Sequence, residues 1–224
     1  MKWLNTALIL TVFGFSHMVS AGVIVGGTRV IYDGSKREAS LSVKNPEKQT
    51  VYLIQSWVDD QDESNKEKAP FIITPPLFRL DAGQENILRI IHNGKNLPDD
   101  RESVYWINVK SIPSSTRTDR NQLQITVRSR IKLFYRPQGI TGLKADQAYK
   151  SLKFSFTDGK LTVTNPTPFY LSFYSLKADG KAIKEATMVA PKSDLTLSAS
   201  SAKSITWQTI TDFGGITKPE TVSL

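Results

Sequence analysis

Apolar and polar residues alternate along most of this chain. Ala39, Leu41 and Val43 are separated by polar residues, and comparable short runs recur every 8 to 15 residues. No window longer than about ten residues keeps the 3.6-residue period of an amphipathic helix. The pattern therefore predicts an all-β protein, with further strands near residues 51–58, 87–91 and 105–109. Turn-forming pairs such as Asp33-Gly34 separate the runs.

The longest alternating run covers residues 121–135. Fully extended, a run of this length would reach about 50 Å, whereas a common strand has about five or six residues. Such a strand has to extend beyond its neighbours or serve two sites. Its apolar residues share one parity and its cations the other: Leu123, Ile125, Val127, Ile131, Leu133 and Tyr135 against Arg128, Arg130 and Lys132.

A second set of strand signals follows the long run. Arg136-Pro137 and two glycines, Gly139 and Gly142, end the run and are interpreted as a linker. Asp158-Gly159 then separates two apolar runs, which is typical of a tight β-hairpin. Further strands are predicted near residues 169–174, 187–189, 195–197 and 205–210. About seven short strands in each half fit two immunoglobulin-like β-sandwiches.

The N-terminus has the features of a secretory signal peptide. Lys2 precedes an apolar run over residues 7–15, and small residues lead to Ala21, after which we expect cleavage. No later stretch approaches the length of a membrane span, so we expect no membrane insertion. Removing residues 1–21 leaves enough chain for two domains, which we place at residues 22–138 and 139–224.

Composition and charge exclude several classes of function. The chain has no cysteine, so neither a disulfide nor thiol chemistry is available. The formal net charge of +8 falls to +7 without the one base of the leader, but acids are interleaved with the bases and no nucleic-acid motif is present. We therefore expect a solvated basic surface and no nucleic-acid partner.

Candidate catalytic residues are scarce. His92, the one histidine outside the leader, is expected to be solvent-exposed at a strand end. The acidic residues Asp59, Asp60, Asp62 and Glu63 lack the glycine and distal glutamate of a calcium loop, and we interpret them as a solvated loop. The sequence predicts no enzyme, metal or cofactor. Paired carboxylates converging from distant strands would still permit a hydrolase.

One segment is specific to a family. Residues 97–113, LPDDRESVYWINVKSIP, resemble the signature stretch of the periplasmic pilus chaperones, the PapD-like family. Residues 28–34, 74–76, 131–137, 165–168 and 212–215 also resemble it, so the resemblance covers essentially the whole chain after the leader. It implies two immunoglobulin-like domains arranged in an L with a cleft between them. It also implies a periplasmic protein that holds fimbrial subunits until an outer-membrane usher accepts them.

The resemblance also implies roles for particular residues. The family donates a strand to a subunit that lacks one, and the matching apolar positions are Leu123, Ile125 and Val127. Alternation alone would instead favour these side chains as part of the chain's own core. An arginine on the family's first strand and a lysine on the long strand grip the subunit's C-terminal carboxylate, and they match Arg29 and Lys132.

Two further expectations follow from the resemblance. Because Lys132 has the opposite parity to Leu123, we expect twist or a β-bulge to turn Lys132 toward the cleft. Glu102, Arg136 and Asp212 match an interdomain charge network and are expected to be structural.

The expected partners are fimbrial (pilin) subunits and the usher, and a second copy could cap the exposed strand of the free protein. The alternative from another class is a secreted β-sandwich adhesin or carbohydrate-binding module.

Overall fold

The computed structural model describes residues 22–60, 69–115, 123–199 and 201–224. The predicted leader, residues 1–21, lies outside the described residues, as do Asp62 and Glu63. The described chain consists of strands and two short 3-10 helices, which confirms the all-β prediction. Among these residues, no helix has the length and apolar character needed to cross a membrane.

The first half of the chain forms a sandwich of two sheets. One sheet has the strand order β1-β3-β7-β5 and the other β2-β9-β8-β4-β6. The strands are β1 (Ile24–Val25), β2 (Arg29–Asp33), β3 (Ala39–Lys44), β4 (Tyr52–Asp60), β5 (Phe71–Thr74), β6 (Leu77–Leu80), β7 (Glu85–His92), β8 (Ser103–Pro113) and β9 (Val127–Arg136).

Alternation along these strands places one face of each sheet in the core. Leu41, Val43, Leu88 and Ile90 from one sheet pack with the other sheet's inner face, and each is nearly or fully buried. The second sheet contributes Val30, Tyr32, Ile54, Tyr105, Ile107, Val109 and Leu133. Period-2 patterning predicts this arrangement, in which each sheet turns its apolar face toward a shared core and its polar face toward solvent.

The second half forms another sandwich. Its sheets have the orders β10-β11-β15 and β13-β12-β16-β17, with β14 paired to β12. The elements are the 3-10 helices Gln138–Ile140 and Ala145–Ser151 and the strands β10 (Lys153–Thr157), β11 (Lys160–Asn165), β12 (Leu171–Ala178), β13 (Lys181–Ala182), β14 (Met188–Val189), β15 (Ser193–Ser198), β16 (Ser204–Thr209) and β17 (Glu220–Ser223).

The predicted hairpin at Asp158-Gly159 is confirmed. Phe154 lies opposite Val163 and Phe156 opposite Leu161 in the β10-β11 pair. Asp158 and Gly159 have φ angles of 51° and 71°, and positive φ at both central residues is what a two-residue turn of this kind requires. Aspartate tolerates that region better than most residues, and glycine enters it without a steric cost.

Strand β9 lies where the two sandwiches meet. It pairs antiparallel with β8 from Val127 to Tyr135, without a register shift, and parallel with β2 from Lys132 to Arg136. Ile131, Leu133 and Tyr135 face the first core. The other face includes Phe134, which packs against Tyr170 of the second half with ring centroids 5.8 Å apart.

Two predictions about the long strand are wrong. First, β9 begins at Val127, not at residue 121, and residues 123–126 are not part of a sheet; residues 121 and 122 lie outside the described chain. Second, no bulge turns Lys132. The face of β9 opposite the sandwich core is itself the cleft face, so regular alternation already directs Lys132 toward the second half.

The connection between the halves follows β9 directly. Tyr135 packs against the first core, whereas Ile140, Ala148 and Tyr149 belong to the second. The Trp207 indole N–H donates to the Tyr149 carbonyl at 3.0 Å, which attaches the second 3-10 helix to β16. The exact division at residues 138 and 139 stays a prediction.

Candidate functional site

Three apolar side chains precede or begin β9 and are exposed. Leu123, Ile125 and Val127 have 88%, 68% and 56% of their surface accessible, whereas Leu133 of the same parity is fully buried. Our interpretation from alternation alone, that they fill the chain's own core, is therefore wrong. The sandwich ends before it reaches them, so the apolar face of the strand continues into solvent.

The backbone at this end of β9 is also open. Strand β2 pairs only with residues 132–136, so within the described chain residues 127–131 have β8 on one side and no strand on the other. An open edge with exposed apolar side chains is a template for another strand.

Arg29 and Lys132 lie side by side at the point where this open edge ends. Arg29 begins β2, the second described strand and not the first, and is the register partner of Lys132. Each reaches a neutral oxygen of the second half: Arg29 Nη1 donates to the Ile210 carbonyl at 3.2 Å, and Lys132 Nζ contacts the Ser172 hydroxyl at 3.2 Å. Arg29 Nε is buried with no hydrogen-bond partner among the described residues.

Electrostatics at this pair favour an anion. Burial lowers the pKa of Lys132, and the neighbouring Arg29 charge lowers it further. Burial also lowers the pKa of Arg29, against the opposing effect of Asp212 and Glu102. Two partly desolvated cations side by side destabilise each other's charged form, so a carboxylate between them would be bound by both charges.

Glu102, Arg136 and Asp212 are brought together between the two halves. Arg136 Nε donates to Glu102 Oε1 at 2.8 Å, and Nη1 and Nη2 donate to the two oxygens of Asp212 at 2.9 and 3.1 Å. The Tyr170 N–H donates to Glu102 Oε2 at 2.8 Å. The Glu102 side chain is only 2% exposed. The network is therefore a buried group of ion pairs and not a simple exposed pair.

The network is electrostatically coupled. Burial raises the pKa of Glu102, although Arg136 and the Tyr170 N–H favour its ionised form. Burial alone would lower the pKa of Arg136, but hydrogen bonds and charge from Asp212 and Glu102 outweigh it and raise that pKa. A cavity of about 80 Å³, lined in part by Arg29, Arg136 and Phe134, lies beside the network. The three charges therefore bind the halves together at one wall of the cleft.

Two interpretations of polar residues are wrong. His92 is half-buried and not solvent-exposed, because its ring packs against Phe71 and Tyr135 with centroids 5.3 and 5.1 Å apart. Asp59 belongs to β4 and not to a loop, and its Oδ2 accepts hydrogen bonds from Trp57, Asn108 and Arg128.

Sequence reasoning also missed residues of the cleft. Ser172, Tyr170 and Ile210 contact the three groups discussed above, yet they lie on or beside strands of the second half. Their partners lie about 40 to 180 residues away in the sequence; Arg29 and Ile210, for example, are separated by 181 residues. The alternation of apolar and polar residues in a strand does not reveal contacts over such separations. Asn108 could have been noticed, because it is a polar residue inside the apolar run of β8.

Comparison with known proteins identifies the family. Residues 22–141 match the family model "Pili and flagellar-assembly chaperone, PapD N-terminal domain", and residues 147–221 match "Pili assembly chaperone PapD, C-terminal domain". The chain belongs to the PapD-like pili assembly chaperones. It is therefore a chaperone of pilus assembly, as the resemblance of residues 97–113 predicted.

Individual relatives agree with this family. The probable fimbrial chaperone LpfB of Escherichia coli O157:H7 is 48% identical over 220 residues, covering 96% of this chain and 94% of LpfB. The chaperone LpfB of Salmonella typhimurium is 45% identical, covering 93% and 91%. A solved complex of the Salmonella enterica SafA pilin with the SafB chaperone matches with a TM-score of 0.82 at 38% identity, covering 91% of this chain and 96% of the matched chain.

Proposed function

We propose that this chaperone holds an incomplete pilin subunit by adding the open edge of β9 to the subunit's sheet, and that it acts in the periplasm. The observation that carries the proposal is the combination at Leu123, Ile125 and Val127 of exposed apolar side chains with an adjoining open backbone edge. Strand addition is a known mode of recognition, and chaperone–pilin pairs are among its examples.

The physical requirement comes from the client. A sandwich that lacks one strand exposes core side chains and unpaired backbone groups, both of which favour aggregation. A donor has to supply backbone hydrogen bonds and a large apolar side chain at every second position. Burying three side chains of this size contributes roughly 1.5 to 3 kcal/mol each, before the cost of ordering residues 123–126 is subtracted.

Apolar side chains at alternate positions do not by themselves choose a register, because a slip of two residues presents the same face. Arg29 and Lys132 supply the fixed point by binding the subunit's terminal carboxylate. With about 3.3 Å per residue, the groove sites for Val127, Ile125 and Leu123 then lie about 17, 23 and 30 Å from that carboxylate. Arginine offers a planar fork and lysine a compact charge, which together suit one buried anion.

The other parts of the molecule also have roles in this mechanism. Residues 22–138 form the donor domain and residues 139–224 form the second wall of the cleft, and the Arg136 network holds the domains at a fixed angle. The chaperone transfers its subunit to an outer-membrane usher and performs no catalysis. A second copy caps the open edge when no subunit is bound.

The test is co-expression of the full chain with candidate pilin subunits, followed by recovery of the periplasm. We expect one subunit to survive there and to purify in a one-to-one complex with the chain. Arg29→Ala and Lys132→Ala should each abolish this recovery while the chaperone itself stays folded.

The matched control is Arg89→Ala. Arg89 is an exposed arginine on β7 whose Nε lies 3.9 Å from the Glu38 carboxylate, so the variant removes a surface charge that is not part of the Arg29–Lys132 pair. It should protect the subunit as well as wild type does. Full subunit protection by both Arg29→Ala and Lys132→Ala would refute the anchor.

A further inference from the structure

A polar network crosses three strands beside the open part of β9. Arg128, the second residue of β9, donates from Nε to Asn108 Oδ1 at 2.8 Å and from Nη2 to Asp59 Oδ2 at 3.1 Å. Asn108 lies on β8 and Asp59 on β4, so one guanidinium connects β9 to two successive strands. Its planar fork is suited to holding two acceptors at once.

The acceptors of this guanidinium are themselves held in place. Asp59 Oδ2 also accepts from Asn108 Nδ2 at 2.9 Å and from the Trp57 indole N–H at 3.0 Å. Asn108 is fully buried and donates a second bond to the Trp106 carbonyl at 3.2 Å. The Arg128 guanidinium lies 5.2 Å from the Trp57 ring centroid. The Arg128 side chain is 42% exposed, but its two acceptors are held in place by these further hydrogen bonds.

The position of Arg128 gives the network a consequence for the donor strand. Residues 123–126 are outside the sheet, and residues 127–131 have a strand on one side only among the described residues. Arg128 is therefore the first side chain of β9 that fixes this half-paired segment to the rest of the sheet. The Ser111 hydroxyl also donates to the Val127 carbonyl at 3.3 Å, and the Gln124 side chain donates to the Pro113 carbonyl, but both of these bonds end at β8. The Arg128 guanidinium extends the connection to β4.

We infer that Arg128 is a positioning residue for strand donation, and this inference rests on the proposed function. By fixing the start of β9 before a subunit arrives, Arg128 reduces the number of donor residues that have to be ordered on binding. Ordering the backbone of one further residue weakens binding about tenfold. Arg128, Asn108 and Asp59 act through Leu123, Ile125 and Val127, and do not themselves fill the client's groove.

The first measurement is amide hydrogen exchange of the free full chain. Arg128→Met should speed exchange at residues 127–131 while residues 132–136, which β2 also pairs, keep wild-type rates. Arg89→Met makes the same substitution at an exposed position on β7 and should leave the exchange rates of both segments unchanged. Wild-type exchange at residues 127–131 in Arg128→Met would overturn the inference, and this result needs no client, so it is separate from any failure of the proposed function.

The second measurement uses the pilin subunit that purifies with wild type in the co-expression experiment. Arg128→Met and Arg128→Lys should both weaken its binding about tenfold, because lysine keeps the charge but cannot hold Asn108 and Asp59 together. Restoration by Arg128→Lys, or a defect that disappears at high salt, would instead mean simple charge attraction and would overturn the positioning role.

A third variant covers the case in which the Arg128 changes destabilise the chain. Asp59→Asn keeps the size of a side chain that is 32% exposed but removes the negative charge to which Arg128, Asn108 and Trp57 donate. It should raise exchange at residues 127–131 while Arg128 is still present. If exchange there matched wild type in this variant, the network would not fix the strand.

Discussion

The two ends of β9 differ in how much of the strand is paired and covered by the rest of the molecule. From Lys132 to Arg136 the strand has a partner on both sides, Leu133 is fully buried, and Arg136 is held by two carboxylates. From Val127 to Ile131 β2 no longer pairs with it, and Val127 is 56% exposed although it has the same parity as Leu133. Only the coverage by β2 and by the opposite sheet has changed.

This difference shows how one regular strand has a covered half and an exposed half. Alternation gives every odd residue of β9 the same face, but the sandwich closes over that face only at the C-terminal end. Beyond the sandwich the same pattern leaves a row of apolar side chains exposed, and this is the row that we propose binds the subunit. The even face carries the cations throughout, which is why Lys132 reaches the cleft without any irregularity in the strand.

The largest expected effect is at the doubly paired end. Arg136→Ala leaves the buried Glu102 carboxylate without its counter-ion, so we expect a loss of about 3 to 5 kcal/mol in the free energy of unfolding. Denaturant unfolding measures this loss. Lys192→Ala, which breaks an exposed pair with Asp100 between the same two halves, is the control.

The loss in Arg136→Ala should also depend on pH. The pKa of Glu102 is already raised above 4.5 by burial, and removing Arg136 raises it further. The loss of unfolding free energy in Arg136→Ala should therefore be greatest at neutral pH. It should shrink as the pH falls through the raised pKa of Glu102, because a protonated Glu102 is neutral and is no longer destabilised by the absence of Arg136. A deficit of the same size at pH 4 and pH 7 would contradict this explanation.

A smaller effect, and one on binding alone, is expected at the open end. Ile125→Asp should leave the unfolding free energy within about 0.5 kcal/mol of wild type, because the side chain is 68% exposed. Subunit binding should weaken at least about a hundredfold, from lost apolar burial and a carboxylate in an apolar groove. Affinity for the co-purifying subunit measures it.

Ile72→Asp provides the matched change on β5, where the isoleucine is 56% exposed. It should bind the subunit normally. Equal binding defects in the two variants would show that any charged residue on the surface of the first sandwich has this effect.

A still smaller effect is expected where the two ends meet. Lys132→Met removes a cation that burial and Arg29 disfavour, so the free chain should become slightly more stable, by less than about 1 kcal/mol given the partial exposure of this residue. Because the folded pKa of Lys132 lies below its ordinary 10.5, the folded wild type regains stability as pH rises from that lowered value to 10.5.

The difference between Lys132→Met and wild type should therefore narrow over that pH range. Comparison of the two unfolding curves at several alkaline pH values tests this, since other titrating groups are common to both proteins. A variant that is less stable than wild type at neutral pH would show that the contact with Ser172 outweighs the charge.

The smallest effect is expected at the exposed interdomain pair. Lys192 Nζ lies 2.6 Å from Asp100 Oδ2, but both side chains are more than a third exposed, and Asp100 is also bound by Arg101. Lys192→Ala should leave the unfolding midpoint within experimental scatter at physiological salt. A loss comparable to that of Arg136→Ala would mean that burial is not what distinguishes the two pairs.

The fold was largely predictable because its signals are local. Period-2 alternation at Ala39, Leu41 and Val43, and turn chemistry at Asp158-Gly159, depend on residues a few positions apart. The start of β9 was mispredicted for the same reason. Residues 123–126 have the alternation of a strand, but no strand in the part of the chain that the structure describes pairs with them.

The sequence by itself determined the all-β class, the family and the parity of each side chain on β9. The tertiary structure decided which of those side chains is covered, which cation meets which, and which strands the Arg128 network joins. Burial and charge pairing depend on groups far apart in the chain, such as Arg29 and Ile210, and the folded chain alone brings such groups together. Alternation predicts the face on which a residue lies, and only the extent of the sandwich decides whether that face is buried core or exposed surface.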